Sequence, residues 1–250
     1  MKPKIGGSLQ VSLTSYKREL KSEIHDFKTA GYDFAELALG LSIKTGKTFE
    51  DRLKTLRNLI PILSAHLPSI DHKKEEIEKC KNFIDILSDQ GIHLFVMHLF
   101  SPNLQTKDNF DLKIKTIKYL ADFANSKDSN IVLENTEEDV ITLKRVFDVI
   151  PKIYFCLDIG HANIFVKENR SIKLINAFGK LLKHIHIHDN VGGDSEDSDI
   201  HLPIGEGNIN FNPIFEKLKE NNYSGNITLE LYKADLESTK LSIKRLRELF

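Results

Sequence analysis

The chain has 250 residues, of which 40% are hydrophobic and 28% charged, and its formal net charge at pH 7 is -1. This composition excludes intrinsic disorder, contains no apolar run of membrane-spanning length, and provides no global field that would attract nucleic acid. Cys80 and Cys156 lie far apart and the sequence shows no hydrophobic signal segment, so we expect a cytoplasmic protein with two buried free thiols.

In chain order, short β-rich runs alternate with longer amphipathic stretches. Eight runs have the residue types of strands, at residues 4–9, 34–39, 62–66, 93–99, 130–134, 153–158, 184–188 and 226–231. Between them, apolar residues recur at intervals of three and four, which predicts helices at residues 73–88, 112–124, 138–149, 171–182, 212–221 and 236–249.

Eight strands that alternate with helices predict an α/β fold in which a parallel sheet closes on itself. The length is typical of a single (β/α)₈ TIM barrel, and we expect one such domain over residues 1–250. An open doubly wound sheet is the alternative, but only Gly6-Gly7-Ser8 lies in the first strand, and no glycine-rich dinucleotide motif follows it.

Six consecutive strands, from the third to the eighth, end on a side chain that can bind metal. These residues are His66, His98, Glu134, Asp158, His186 and Glu230. A single histidine or glutamate at a strand end is usually an ordinary polar residue. Since all C-terminal strand ends of a parallel barrel meet at one mouth, six in succession favour a shared metal site.

Further candidate ligands lie in loops. His161 follows Asp158 by three residues, and Asp199 and His201 alternate at the end of a polar, acidic loop (190–199) that we expect to cover or line the mouth. An aspartate that caps a backbone amide beside an incidental histidine is the alternative for the second pair. Glu206 is either a residue that orients a ligand histidine or a turn carboxylate.

The mixture of carboxylates and imidazoles, without cysteine, favours Zn²⁺, Mn²⁺, Co²⁺ or Fe²⁺. Five histidines and four carboxylates are too many for one ion and predict two or three. Adjacent ions of this kind are used in the hydrolysis of phosphate esters.

The other histidines are weaker candidates. His184 and His188 flank His186 at the strand period, and we expect His184 to lie deeper and His188 nearer the loop. Solvated or packing roles are expected for His25, His72 and His93.

These motifs resemble the xylose-isomerase-like barrel superfamily, which includes endonuclease IV and the sugar epimerases and isomerases related to tagatose epimerase. Residues 199–209, Asp-Ile-His-Leu-Pro-Ile-Gly-Glu-Gly-Asn-Ile, are similar to the endonuclease IV pattern of Asp-x-His before Gly-Glu-Gly-Asn-Ile. Other matching segments are residues 65–68, 133–136, 157–161, 186–189 and 228–230.

The resemblance implies three metal sites. One would use His66, His98 and Glu134; the second would share Glu134 and add Asp158, His186 and Glu230; the third would use His161, Asp199 and His201. In endonuclease IV such a zinc cluster makes a hydroxide that attacks DNA beside an abasic sugar. The related epimerases keep only the second site and use its two glutamates to move a proton beside a sugar carbonyl.

We therefore predict a metal-dependent phosphodiester hydrolase of the endonuclease IV type, with two or three Zn²⁺ and abasic-site DNA as its partner. The alternative is a sugar or sugar-phosphate isomerase or epimerase with one Mn²⁺, Co²⁺ or Mg²⁺, in which Glu134 and Glu230 are catalytic. A non-catalytic binding barrel is a third possibility. The family's Arg-bearing DNA loop has no counterpart in residues 40–46, so Lys44, Lys47 and Arg52 are the candidate phosphate contacts.

Overall fold

The computed structural model describes residues 2–10, 17–71, 73–99, 109–232 and 234–250. Eight parallel strands pair in chain order and close into a barrel. The strands are β1 (Ile5–Gln10), β2 (Phe34–Ala38), β3 (Ile62–His66), β4 (Leu94–His98), β5 (Asn130–Glu134), β6 (Tyr154–Asp158), β7 (Leu182–Ile187) and β8 (Asn226–Leu229).

A helix follows each strand in the described part of the chain. The helices are α1 (Lys17–Ala30), α2 (Lys47–Arg57), α3 (Lys74–Asp89), α4 (Phe110–Ser126), α5 (Val140–Val149), α6 (Ser171–Phe178), α7 (Phe211–Glu220) and α8 (Leu236–Leu249). The order of elements confirms the predicted (β/α)₈ barrel.

The predicted strands agree with the observed ones within two residues at each end, and β3 and β5 have the predicted bounds. The helix predicted at residues 171–182 is too long: α6 ends at Phe178, and β7 already begins at Leu182. Helices α1 and α2 were not predicted. In α2, the buried residues Phe49, Leu53 and Leu56 do recur at four and three, so the pattern was present in the sequence.

The core between the barrel and its helices is built from amphipathic faces. In α3, Cys80, Phe83, Ile84 and Leu87 recur at three and four and are all fully buried. Both cysteines, Cys80 and Cys156, are free and buried, as expected. None of the helices in the described part of the chain has the length and hydropathy needed to span a lipid bilayer.

Alternate side chains of each strand point into the barrel and fill its interior. Val96, Val132 and Cys156 form a small buried cluster there, and each lies two residues before a metal-ligand type residue at the end of its strand. The apolar layer below the mouth therefore supports His98, Glu134 and Asp158, the last residues of β4, β5 and β6.

Candidate active site and metal centre

All nine predicted ligands lie at the C-terminal mouth of the barrel. Four are the last residues of β3 to β6, His186 lies near the end of β7, and Glu230 directly follows β8. His161 begins a short 3₁₀ turn after β6, and Asp199 and His201 follow a second such turn after β7. Within the described chain, these nine residues together with His188 make up three groups of donor atoms that could each hold a metal ion. Two further groups of this kind overlap with them through His186: Glu36 with His184 and His186, and Glu134 with Cys156 and His186.

The central group consists of Glu134, Asp158, His186 and Glu230. One donor atom from each residue lies within 4.8 Å of the others. His186 Nδ1 is 3.2 Å from Glu134 Oε1 and 3.4 Å from Glu230 Oε1. Glu134, Asp158 and His186 are fully buried, whereas the Glu230 side chain is 15% exposed, so the group opens to the mouth on the Glu230 side.

The donor atoms of the central group fit a divalent cation. Glu134 Oε1, Asp158 Oδ2 and His186 Nδ1 are buried and form no hydrogen bond within the described residues. Buried polar atoms without partners are strongly unfavourable, and three that face one another are best explained by a shared ligand. Carboxylate oxygens with one imidazole suit Mn²⁺, Co²⁺, Mg²⁺ or Zn²⁺.

Local hydrogen bonds hold Asp158 in place. The Asn135 side chain donates to the Asp158 carbonyl at 2.9 Å and accepts from the Asp158 amide at 3.0 Å, which ties the ends of β5 and β6 together. Asp158 Oδ1 accepts the His161 amide at 2.6 Å. Its other oxygen, Oδ2, is thus left to face the central group, which explains the Glu-Asn and Asp-Ile-Gly-His segments.

The β3–β5 group consists of His66, His98 and Glu134. The Nε2 atoms of His66 and His98 each lie 3.1 Å from Glu134 Oε2. His66 Nδ1 donates to the Leu67 carbonyl at 2.8 Å, so its Nε2 is free to bind. Glu134 thus contributes Oε2 to this group and Oε1 to the central group.

The loop group consists of His161, His188, Asp199 and His201. His201 Nε2 is 3.1 Å from Asp199 Oδ1, and His161 Nε2 is 3.4 Å from Asp199 Oδ2. His188 Nε2 lies 3.7 Å from Asp199 Oδ1, and its ring stacks on His201 with centroids 3.7 Å apart. From the sequence, we expected His188 near the loop but not among the ligands.

Glycine makes the approach of His188 possible. A Cβ at Gly160 would lie 2.2 Å from two atoms of the His188 ring, so any larger residue there would displace the imidazole. His188 lies two residues beyond His186, and both side chains are fully buried. Strand periodicity was therefore the available signal for this residue.

Charge couples the histidines and carboxylates of the mouth. Burial raises the pKa of Glu134, but the adjacent His186 and His98 outweigh it and hold the pKa well below its usual range. Burial lowers the pKa of His186, yet Cys156, Glu134 and Glu230 together bring it well above its usual value. The pKa of His161 is raised in the same way, against burial, chiefly by Asp158 and Asp199. Protons and metal ions therefore compete for these imidazoles.

Asp189 fixes the loop that carries the Gly-Glu-Gly segment. Its buried carboxylate accepts the backbone amides of Asn190 at 2.9 Å, Gly205 at 2.8 Å and Ile209 at 3.3 Å. Glu206 itself is exposed, so it is a turn carboxylate rather than a residue that orients a ligand. The 190–199 loop packs on the segment after β6, where the Phe165 amide donates to the Gly193 carbonyl at 2.7 Å.

The other histidines and the candidate phosphate contacts lie in varied surroundings. His184 is deeper and fully buried, where it contacts Glu36, a residue that the sequence analysis missed. His25 and His93 are exposed, as expected, and His72 lies outside the described residues. Lys44 and Lys47 are exposed, in the segment after β2 and at the start of α2, and Arg52 is partly buried in α2.

A family model described as "Xylose isomerase-like TIM barrel" matches residues 24–249. Among curated proteins, an uncharacterized protein of Methanocaldococcus jannaschii is 34% identical over 130 residues, which are 48% of this chain and 43% of that protein. An L-ribulose 3-epimerase of Methylomonas sp. is 28% identical over 150 residues, 56% of this chain and 49% of that enzyme. The matches thus span less than half the length of these curated relatives.

Solved structures share the fold over nearly the whole chain. A D-tagatose 3-epimerase-like protein has a TM-score of 0.75 and 23% identity, with 98% of this chain and 96% of that chain covered. A D-allulose 3-epimerase from Methylomonas sp. has a TM-score of 0.74 and 19% identity, with 100% and 98% covered. At these identities the likeness shows the barrel fold.

The prediction of an endonuclease IV-type hydrolase is therefore wrong. A curated relative is named as a sugar epimerase, and several similar solved structures are named as epimerases or as epimerase-like, which favours the isomerase or epimerase alternative. Abasic-site DNA as a partner has no support in these comparisons. The physical reason for the error is that ligand-type residues at strand ends specify which ions can bind, whereas the substrate is selected by the surrounding loops.

Proposed function

Because the chain belongs to the xylose isomerase-like TIM barrel family, we propose that it is a metal-dependent isomerase or epimerase of a small sugar. The observation that carries the proposal is the central group, where Glu134 and Glu230 face the same metal-type site from two sides of the barrel. Two strands, β6 and β7, separate the strands that carry these carboxylates.

The central group would hold the ion through Glu134, Asp158, His186 and Glu230. A divalent ion bound there supplies a Lewis acid that polarises a sugar carbonyl and an adjacent hydroxyl. His186 and Asp158 are both fully buried. Among the four residues of the central group, Glu230 is the one whose side chain is partly exposed, so the substrate would approach from its side.

Glu134 and Glu230 would transfer the proton from and to the substrate carbon beside the carbonyl. In an epimerisation or isomerisation, one carboxylate removes a proton from the carbon beside the carbonyl, and a second group returns a proton to the carbon or to oxygen. Two carboxylates that reach the site from different strands are suited to a carbon approached from two faces. In the metal-free chain, the adjacent His186 and His98 lower the pKa of Glu134 against the effect of burial. A cation bound in the central group would act in the same direction, so Glu134 is ionised, as a base must be.

We also propose how many ions the mouth binds and which ions they are. The β3–β5 group and the loop group supply donors for two further ions, and Zn²⁺ suits their imidazole-rich composition. We propose that the ion in the central group serves the chemistry, with Mn²⁺, Co²⁺ or Mg²⁺ as alternatives to Zn²⁺ there. The flanking groups line the mouth on either side of it.

The proposal is tested by kinetics on a panel of ketoses with protein loaded with Mn²⁺, Co²⁺, Mg²⁺ or Zn²⁺. Wild-type protein should epimerise or isomerise at least one sugar, and Glu134→Gln and Glu230→Gln should each lower kcat by about 10²- to 10⁴-fold. Glu206→Gln, which alters an exposed carboxylate, is the matched control and should keep the wild-type rate. Equal rates for wild type and both active-site variants would refute the assignment.

A further inference from the structure

We propose that Glu36 is a positioning residue for the central group: its carboxylate holds the Nε2 edge of His186 and so directs Nδ1 toward the metal-binding oxygens. This inference rests on the proposed function, since it takes the central group to bind a divalent ion. Glu36 lies in the middle of β2 and is fully buried inside the barrel. Glu36 is not one of the nine predicted ligands.

His186 lies between two sets of carboxylates. On the inner side, its Nε2 is 2.8 Å from Glu36 Oε1. On the outer side, its Nδ1 faces Glu134 at 3.2 Å and Glu230 at 3.4 Å. A neutral imidazole has one N–H and one lone pair, and a carboxylate beside Nε2 favours the proton on that nitrogen. The lone pair is then on Nδ1, where a metal ion in the central group needs it.

Other residues fix the orientation of Glu36 itself. Ser64, opposite Glu36 in the pairing of β2 with β3, donates its hydroxyl to Glu36 Oε2 at 2.6 Å. His184 Nε2 approaches the same oxygen at 3.0 Å, and the Thr228 hydroxyl lies 3.4 Å from it. Oε2 is occupied by these partners, whereas Glu36 Oε1 and His186 Nε2 are buried and form no hydrogen bond of regular geometry in the described residues. Their ion-pair contact at 2.8 Å is therefore what leaves Oε1 for His186.

A packing role does not explain a carboxylate at this depth. Burying a charged side chain is strongly unfavourable unless partners compensate for its lost hydration. On β4, β5 and β6, the residues two positions before the ligands are Val96, Val132 and Cys156, which form an apolar cluster. The barrel interior therefore accepts apolar residues below the mouth. The polar residues lie on the side of the barrel where His186 has to be held.

Metal affinity tests the proposal without reference to sugar turnover. Protein stripped of metal is titrated with Co²⁺ and with Zn²⁺ against a chromophoric chelator, in a His98→Ala/His201→Ala background that removes one donor from each flanking group. We expect Glu36→Ala to weaken binding by about 10- to 100-fold and to shift the visible bands of bound Co²⁺. Glu36→Gln should restore part of the affinity, because its amide oxygen can still accept the Nε2 proton.

His184→Gln is the matched control. The glutamine amide can still donate to Glu36 Oε2, so this variant should keep the orientation of Glu36, its contact with His186, and the Co²⁺ spectrum and affinity of the background protein. Wild-type affinity and spectrum in both Glu36 variants would overturn the proposal. So would an equal loss in His184→Gln, which would indicate a general effect on the buried layer.

A second measurement needs no substitution at Glu36. In Zn²⁺-loaded wild-type protein with ¹⁵N-labelled histidine, NMR should show His186 protonated at Nε2 and not at Nδ1, and protonation at Nδ1 would overturn the proposal. Protein that binds metal in a Glu36-dependent way but turns over no ketose would refute the proposed function alone. Affinity independent of Glu36 in an active enzyme would refute this inference alone.

Discussion

Histidines at the mouth use one ring nitrogen for support and turn the other toward the donor groups. His66 Nδ1 donates to the Leu67 carbonyl at 2.8 Å, and His201 Nδ1 donates to the Glu230 carbonyl at 3.1 Å. His186 has a carboxylate, Glu36, on its inner edge. Such contacts preset the ring orientation, so a metal ion meets donors that need little rearrangement.

Substitutions of single histidines distinguish the role of the central group from that of the loop group. His186→Ala removes a ligand of the proposed catalytic ion and should lower kcat more than about 100-fold. His201→Ala removes a donor from the loop group only, and the loss should stay below about tenfold. The two variants are compared in one assay at saturating metal. If His201→Ala were as damaging as His186→Ala, the chemistry would need the loop group as well.

The loop after β7 is the element on which the outer part of the site depends. Asp199 and His201 lie on it. The buried Asp189 carboxylate holds the loop by accepting the backbone amides of Asn190, Gly205 and Ile209. The Asp189 and Leu202 backbones also pair with each other at 2.9 and 2.8 Å. The loop is therefore ordered by buried hydrogen bonds to the strand end.

Removal of the Asp189 carboxylate should therefore loosen this element. Asp189→Ala leaves three amides without their acceptor, and we expect the free energy of unfolding to fall by about 3 kcal/mol. Chemical denaturation measures the change. Asp194→Ala, an exposed residue on the same loop, is the control and should stay within about 0.5 kcal/mol of wild type. An equally small effect for Asp189→Ala would show that the loop is held by other contacts.

For the whole molecule, the strand order and the convergence of ligands at one mouth could be predicted. Eight strands that alternate with helices close as a parallel barrel, and all C-terminal strand ends of such a barrel lie at the same mouth. Glu36 could not be assigned, since its partners Ser64, His184 and Thr228 come from strands far away in sequence. Strand periodicity places His188 on the same side as His186, but its contact with Asp199 depends on the three-dimensional path of the loop. The reaction was mispredicted because weight was given to His66, His98, Asp199 and His201, the additional ligand-type residues of endonuclease IV, and such residues specify ions rather than the substrate.

The histidines of the mouth should make the metal-free protein less stable as the pH rises. The pKa values of His66, His161, His186 and His201 are raised in the folded chain: burial lowers them, but neighbouring acidic groups outweigh it. Protonation of these imidazoles therefore stabilises the fold, fully below their ordinary pKa of about 6.5. This contribution is lost as the pH rises through the raised values.

We thus expect the Tm of metal-free protein to fall as the pH rises above about 6.5, while metal-loaded protein, in which ions replace the protons, is stabilised instead. The carboxylates behave oppositely. The pKa values of Glu134 and Asp158 are lowered by nearby histidines despite burial, so their contribution is present above about pH 4 and lost as the pH falls further. Thermal unfolding across this range, with and without chelator, measures both. A metal-free Tm that rises steadily with pH would contradict the charge model of the mouth.

The most direct test of the central claim is solvent exchange at the carbon beside a ketose carbonyl. Metal-loaded protein is incubated with ketoses in D₂O, and NMR follows deuterium at that carbon. The account predicts deuterium incorporation with the loaded wild-type protein, and none with chelated protein or with Glu134→Gln. Absence of exchange in every ketose with fully loaded, folded protein would contradict the assignment of Glu134 and Glu230 as the proton-transfer pair of a sugar isomerase or epimerase.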